Sequence, residues 1–177
     1  IVVSQLVERK NVAHIIRAFA RLVAMPCYSH YRLHIIGDGD QAGALRQLAS
    51  QLGVGGNVDF HGFMLHSQMA ELLRHARAML IATRRDLNMV SIPESIVSGT
   101  PIVTNTCPTS ASFIARHGLG VVRDDWDETD LIKAIDHYPE FHEACLRERG
   151  GLTREGCAHK LVALYADNCQ KHVRGTK

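Results

Sequence analysis

The feature that most constrains the fold of this chain is a regular alternation of two hydrophobic periods. Short β-branched or apolar runs occur at "IVVSQL", "YRLHIIGDGD", "NVDFHGF", "AMLIAT", "PIVTN" and "GLGVV". Between the first four lie stretches with helical spacing. Val12, Ile15, Ile16, Phe19, Leu22 and Val23 form the first stretch. Leu45, Leu48, Ala49 and Leu52 form the second, and Met69, Leu72, Leu73 and Ala76 the third. A helix-period pattern cannot bury its apolar stripe as a strand, so each stretch has one assignment. "PESIVSG" reads as a further helix before "PIVTN". "DETDLIKAIDHY" and the chain beyond it, to about residue 172, read as helical.

Strands separated by helices with short connections predict a parallel sheet covered on both faces. Right-handed crossovers make it doubly wound. The expected architecture is therefore α/β, a Rossmann-like parallel sheet of six strands, in a single domain over residues 1–177. "RGGLT" at 149–153 breaks the helical stretch, so residues 152–177 form a C-terminal helix and tail, with the helix from Ala158 to Asn168. The chain opens directly on a strand-like run, which suggests one half excised from a longer polypeptide.

Composition excludes several classes. Charged residues make up 21% and the net charge is +2, too small to argue for a nucleic-acid partner. No apolar run approaches the roughly 20 residues of a membrane span. The five cysteines include no CxxC and fit a reducing, cytoplasmic setting. The eleven histidines include no HExxH, and no metal site is expected.

In an open parallel sheet, ligands bind beyond the carboxyl ends of the strands. Four segments there can carry chemistry. "SQLVERKN" places Arg9 and Lys10 near a helix start, where a phosphate would also meet free backbone N–H groups; a solvated charged turn explains it as well. "IIGDGD" supplies Gly37 and Gly39 at a strand end, but without the GxGxxG spacing of a dinucleotide fingerprint. "FHGFM" puts Gly62 after a strand, where a flat base could approach the backbone. The fourth, "TRRDLNMVSIPESIVSGTP", holds Asp86 and Glu94 eight residues apart. Ser91 and Glu94 match the capping-box spacing, while Pro93 allows the helix to begin one step later. Capping and ligand binding are both open for Glu94.

Taken in order and at this spacing, these four segments resemble the C-terminal domain of family 4 retaining glycosyltransferases of the GT-B fold, from Ile1 to about Ile135. The resemblance implies a nucleoside-diphosphate-sugar donor held by this half. An N-terminal half of the same chain would bring the acceptor site and any membrane contact. The family's E-x7-E motif falls on Asp86 and Glu94. Glu94 would then accept ribose hydroxyls, and Asp86 would act beside the reacting sugar carbon. The family's basic pair on the diphosphate falls on Gln5 and Lys10, with Lys10 stabilising the leaving diphosphate. Phe63 and Met64 would flank the base, with Gly37 and Gly39 beside the donor. Leu87, Asn88, Met89 and Val90 would approach the donor between the two acids. No cofactor is implied, and no metal.

Three departures stand out. Asp86 is one methylene shorter than the family's Glu. Gln5 replaces an Arg. Leu87-Asn88-Met89 replace Gly-Phe-Gly, which puts side chains where bare backbone usually lies. They leave two alternatives: a degenerate domain that binds a nucleotide or a protein without turnover, or a GT-B-like sugar-nucleotide epimerase.

Overall fold

A computed structural model describes residues 1–85, 89–153 and 156. The expected C-terminal helix, Ala158 to Asn168, lies outside the described residues. Six strands are present: β1 (Val2–Val3), β2 (Leu33–Ile36), β3 (Val58–Gly62), β4 (Met79–Leu80), β5 (Ile102–Thr104) and β6 (Gly120–Val122). Among the described residues the helices that connect and cover them are α1 (Val12–Val23), α2 (Ala42–Gln51), α3 (His66–His75), α4 (Ser91–Val97), α5 (Ala111–His117), α6 (Glu128–Asp136) and α7 (Tyr138–Glu148).

The strands form two parallel ladders, β1-β2-β3 and β4-β5-β6. Main-chain bonds at Ile1 join them: the Leu80 N–H donates to the Ile1 carbonyl at 2.8 Å, and the Ile1 amino group donates to the Ala78 carbonyl at 2.9 Å. The strand order is therefore 3-2-1-4-5-6. Its direction reverses between β1 and β4, the topological switch point of a doubly wound sheet. Side chains alternate across this sheet as period 2 requires. Val2, Leu80, Val103 and Val121 face one layer, with α1, α2 and α6 packed on it. Ile1, Met79, Ile81 and Ile102 face the other, with residues of α3, α4, α5 and α7. Each fully buried Leu or Ile contributes roughly 1.5–3 kcal/mol from lost apolar surface.

The layer assignments follow the periodicity closely, with two exceptions. Helix α5 has only Ala111 and Ile114 fully buried, too few apolar positions to announce a period, and the sequence reading passes over it. The long helical stretch after β6 is broken between α6 and α7, where His137 leaves the helical region and Pro139 sits in the first turn of α7. Proline is favoured there because its missing N–H would have no intrahelical partner.

Candidate functional site: a cavity at the switch point

At the carboxyl ends of β1 and β2, facing α3 and α4, lies a cavity of about 540 Å³. The loop after β1 contributes Ser4, Gln5 and Lys10, and the turn after β2 contributes Gly37 and Asp38. Phe63 and Met64 follow β3, His66 and Met69 belong to α3, and Met89, Val90, Ser91 and Glu94 come from the start of α4. Two of its apolar residues, Phe63 and Val90, are 86% and 75% exposed, so apolar surface stands uncovered at this site.

Backbone contacts fix the floor. Ser4 N–H donates to Ile36 O at 3.0 Å, Leu6 N–H to Asp38 O at 2.9 Å and Gly37 N–H to Gly62 O at 2.8 Å. The loops after β1, β2 and β3 are thus tied in series. Gly37 has φ of 128°, and a Cβ there would sit 1.8 Å from Ser4 O. Gly39 faces the Leu6 carbonyl in the same way, at 2.4 Å. Both glycines exist for close approach of two loops, which only the absent side chain permits. Across the seam, the Arg9 carbonyl accepts from Arg84 N–H at 2.8 Å and from the Thr83 hydroxyl at 3.2 Å. Those two bonds hold the β1 loop against the loop after β4.

The polar groups differ in exposure: Glu94 and Ser4 are largely covered, while His66 and Asp38 are exposed. His66 Nδ1 lies 3.3 Å from Glu94 Oε1, on a side chain that is three-quarters buried. The Ser4 hydroxyl is buried with no hydrogen-bond partner among the described residues. A buried hydroxyl without a partner costs about 1–3 kcal/mol, and an oxygen-rich ligand would supply one. Asp38 turns its carboxylate onto the Gly39 N–H at 2.8 Å.

Of the residues named from sequence, Gln5, Lys10, Gly37, Phe63, Met64, Met89, Val90 and Glu94 line this one cavity. Gly39 is not in its lining and packs on the Leu6 backbone instead. Asp86, Leu87 and Asn88 lie outside the described residues. The capping box is not formed. Helix α4 begins at Ser91, two residues before Pro93, with Val90 as its cap and no side-chain cap bond. Ser91 is buried, and the Glu94 carboxylate turns to His66. Pro93 falls inside the first turn, where its ring meets no preceding carbonyl of the helix.

Sequence reasoning did not single out Ser4, Asp38 or His66, and it weighed Ser91 only as a helix cap. Ser4 could have been found by asking which side chain precedes the loop at the end of β1. Nothing in the spacing links His66 to Glu94, because the contact depends on how α3 and α4 pack over the sheet. Among the described residues, no group of three or more His, Cys, Asp or Glu is placed to hold a metal ion.

A Rossmann-like half of the GT-B fold is the class that this sheet order matches. The chain belongs to the glycosyl transferases group 1 family, whose model matches residues 1–145. It is 33% identical over 153 residues to the exopolysaccharide phosphotransferase SCO2592 of Streptomyces coelicolor, covering 86% of this chain and 16% of that protein. Among solved structures it is similar to WaaG, a glycosyltransferase involved in lipopolysaccharide biosynthesis. The TM-score is 0.74 at 24% identity, over 84% of this chain and 41% of that one. It is also similar to Anabaena Alr3699/HepE in complex with UDP, with a TM-score of 0.75 at 16% identity, over 94% of this chain and 48% of that one. The chain therefore spans less than half the length of each of these relatives.

Proposed function

We propose that this chain is the donor-binding half of a glycosyltransferase that takes a sugar from a nucleoside-diphosphate sugar and passes it to an acceptor with retention of configuration, as in the family 4 enzymes it resembles. The observation that carries this reading is the convergence of Lys10, Glu94, Gly37 and the exposed Phe63 on one cavity at the switch point. The UDP complex of a relative with the same fold supports a nucleotide as the ligand class.

In this reading the base lies against Phe63 and Met64, where an aromatic face and open backbone at Gly62 accept a flat ring. A carboxylate oxygen accepts hydroxyl donors well, and Glu94 therefore holds the ribose hydroxyls. Its Oε1 faces His66 and its Oε2 is the second acceptor. Lys10, at the start of α1, places an ammonium where charge grows on the leaving diphosphate. Asp86 acts at the sugar by resemblance alone. The diphosphate charge is met by Lys10 and the α1 N-terminus, so the reaction is proposed to need no metal. The acceptor and any membrane contact belong to another part of the full-length protein, and polysaccharide or glycoconjugate synthesis in the cytoplasm is the setting this implies.

Calorimetric titration with UDP, GDP and ADP tests the reading. One of them binds, and Glu94→Ala weakens it about 10-fold or more, the size of a hydrogen bond to a charged group. A folded sample that binds none of the three would remove the reading and leave a protein-binding domain as the alternative.

A further inference from the structure

The described residues of the cavity lining carry one formal positive charge, on Lys10, and two negative ones, on Asp38 and Glu94. A diphosphate linkage brings about two more negative charges. A site for such a ligand, which is the reading proposed above, therefore gains from a second cation close to Lys10, beside the α1 N-terminus. Arg9, adjacent to Lys10 in the chain, is exposed and not itself part of the lining, but its side chain reaches a residue that is. Arg9 Nη2 donates to Gln5 Oε1 at 3.3 Å, and Gln5 lines the cavity beside Lys10. The partner is a neutral amide, so the bond directs the guanidinium without cancelling its charge. Glu8, the preceding residue, faces Arg84 at 3.9 Å. The Arg9 backbone is also held firmly, through the two bonds to its carbonyl from Arg84 and Thr83.

We propose that Arg9, directed by Gln5, supplies the second positive charge of the diphosphate subsite. A guanidinium has five N–H donors, and the bond to Gln5 uses one. The fork matches pairs of phosphate oxygens in a way that an amide such as Gln5 cannot. Gln5 is then a positioning residue: its side chain steers the neighbouring cation and does not itself carry charge.

The test compares a nucleoside with its diphosphate. Whichever of UDP, GDP or ADP binds is titrated together with the matching nucleoside, into the unaltered chain, Arg9→Gln, Arg9→Lys and Glu94→Ala. Arg9→Gln is expected to weaken the diphosphate about 5-fold, the size of a solvent-accessible ion contact. The nucleoside affinity stays unchanged, and the salt dependence of diphosphate binding becomes shallower. Arg9→Lys keeps most of the affinity, and thermal melts report whether each variant is folded. Unchanged diphosphate binding by Arg9→Gln, with Glu94→Ala weakened, would overturn the role of Arg9 and leave the cavity reading standing. Equal loss of nucleoside and diphosphate in Arg9→Gln would overturn it too, since the effect would then be packing. Failure of all three diphosphates to bind the unaltered chain would remove both readings together.

Discussion

Two glycine-to-alanine substitutions, six residues apart, are expected to act in opposite directions. Gly37 lies at the end of β2 with φ of 128°, and an alanine Cβ would come within 1.8 Å of Ser4 O and 2.8 Å of Ser4 C. Both are backbone atoms, so no side chain can rotate away. The positive φ alone costs about 1–3 kcal/mol for a residue with a Cβ. Relief of the clash must also separate the loops after β1 and β2. That stretches the bonds Ser4 N–H to Ile36 O, Leu6 N–H to Asp38 O and Gly37 N–H to Gly62 O, now between 2.8 and 3.0 Å. At about 1 kcal/mol each, the loss of two or three brings the total to roughly 3–6 kcal/mol. A domain of this kind has about 5–15 kcal/mol in all. Gly43, in the first turn of α2, has nothing within 4 Å of its Cβ position, so Gly43→Ala should stabilise by about 0.5–1 kcal/mol. Urea unfolding measures both. The single tryptophan, Trp126, is 1% exposed and donates to the Ile81 carbonyl at 2.8 Å, so its fluorescence reports the intact core. A Gly37→Ala midpoint equal to that of the unaltered chain would refute the close-approach account of this turn.

Three further outcomes follow from other parts of the fold. Burial pushes the Cys145 thiol up to about 12 and leaves it near the Thr100 and Leu119 carbonyls, while Cys27 is exposed; a thiol reagent at pH 8 should label Cys27 and spare Cys145 until the protein is unfolded, as peptide mass mapping would read. Asp127 caps α6 by accepting from Thr129 N–H at 2.9 Å, so Asp127→Ala should cost about 1 kcal/mol in a urea titration. The Thr129 hydroxyl first, and then Arg123, hold the Asp127 carboxyl well below the usual carboxylate range; a depressed folded-state value means that its stabilisation is present at neutral pH, begins to decline as pH falls below about 4 and is lost only as pH passes the depressed folded-state value, so melting curves of the unaltered chain and Asp127→Ala should draw together progressively below that pH.

The layers were legible because burial on a sheet is a one-dimensional signal. Ile35 and Val103 must face a core whatever their neighbours are, and the runs that contain them show it. Helix α5 escaped because a seven-residue helix with two fully buried positions carries almost no period. The start of α4 was left open between capping and ligand binding for a different reason. Ser91, Pro93 and Glu94 fit a local capping rule, but Ser91 is taken into the core and Glu94 turns to His66. The burial of Ser91 removes its hydroxyl from the cap, and a local capping bond of about 1 kcal/mol is forgone. The glycines of "IIGDGD" were expected beside the donor, yet the group that approaches them is the chain's own backbone at Ser4 and Leu6.

That last point changes how the cavity is understood. Its shape depends on residues that need touch no ligand: Gly37 and Gly39 let the β1 and β2 loops meet, and Thr83 ties Arg9 across the seam. Removing the Thr83 hydroxyl isolates this effect. Thr83 is completely buried, and Thr83→Val leaves the Arg9 carbonyl still bonded to the Arg84 N–H, so no buried acceptor is orphaned. The expected cost in stability is that of one hydrogen bond, about 1 kcal/mol. If the tether also orients the turn that carries Arg9 and Lys10, diphosphate affinity falls while nucleoside affinity holds. Equal affinities in Thr83→Val and the unaltered chain, at a matched loss of stability, would show that the tether serves the fold alone.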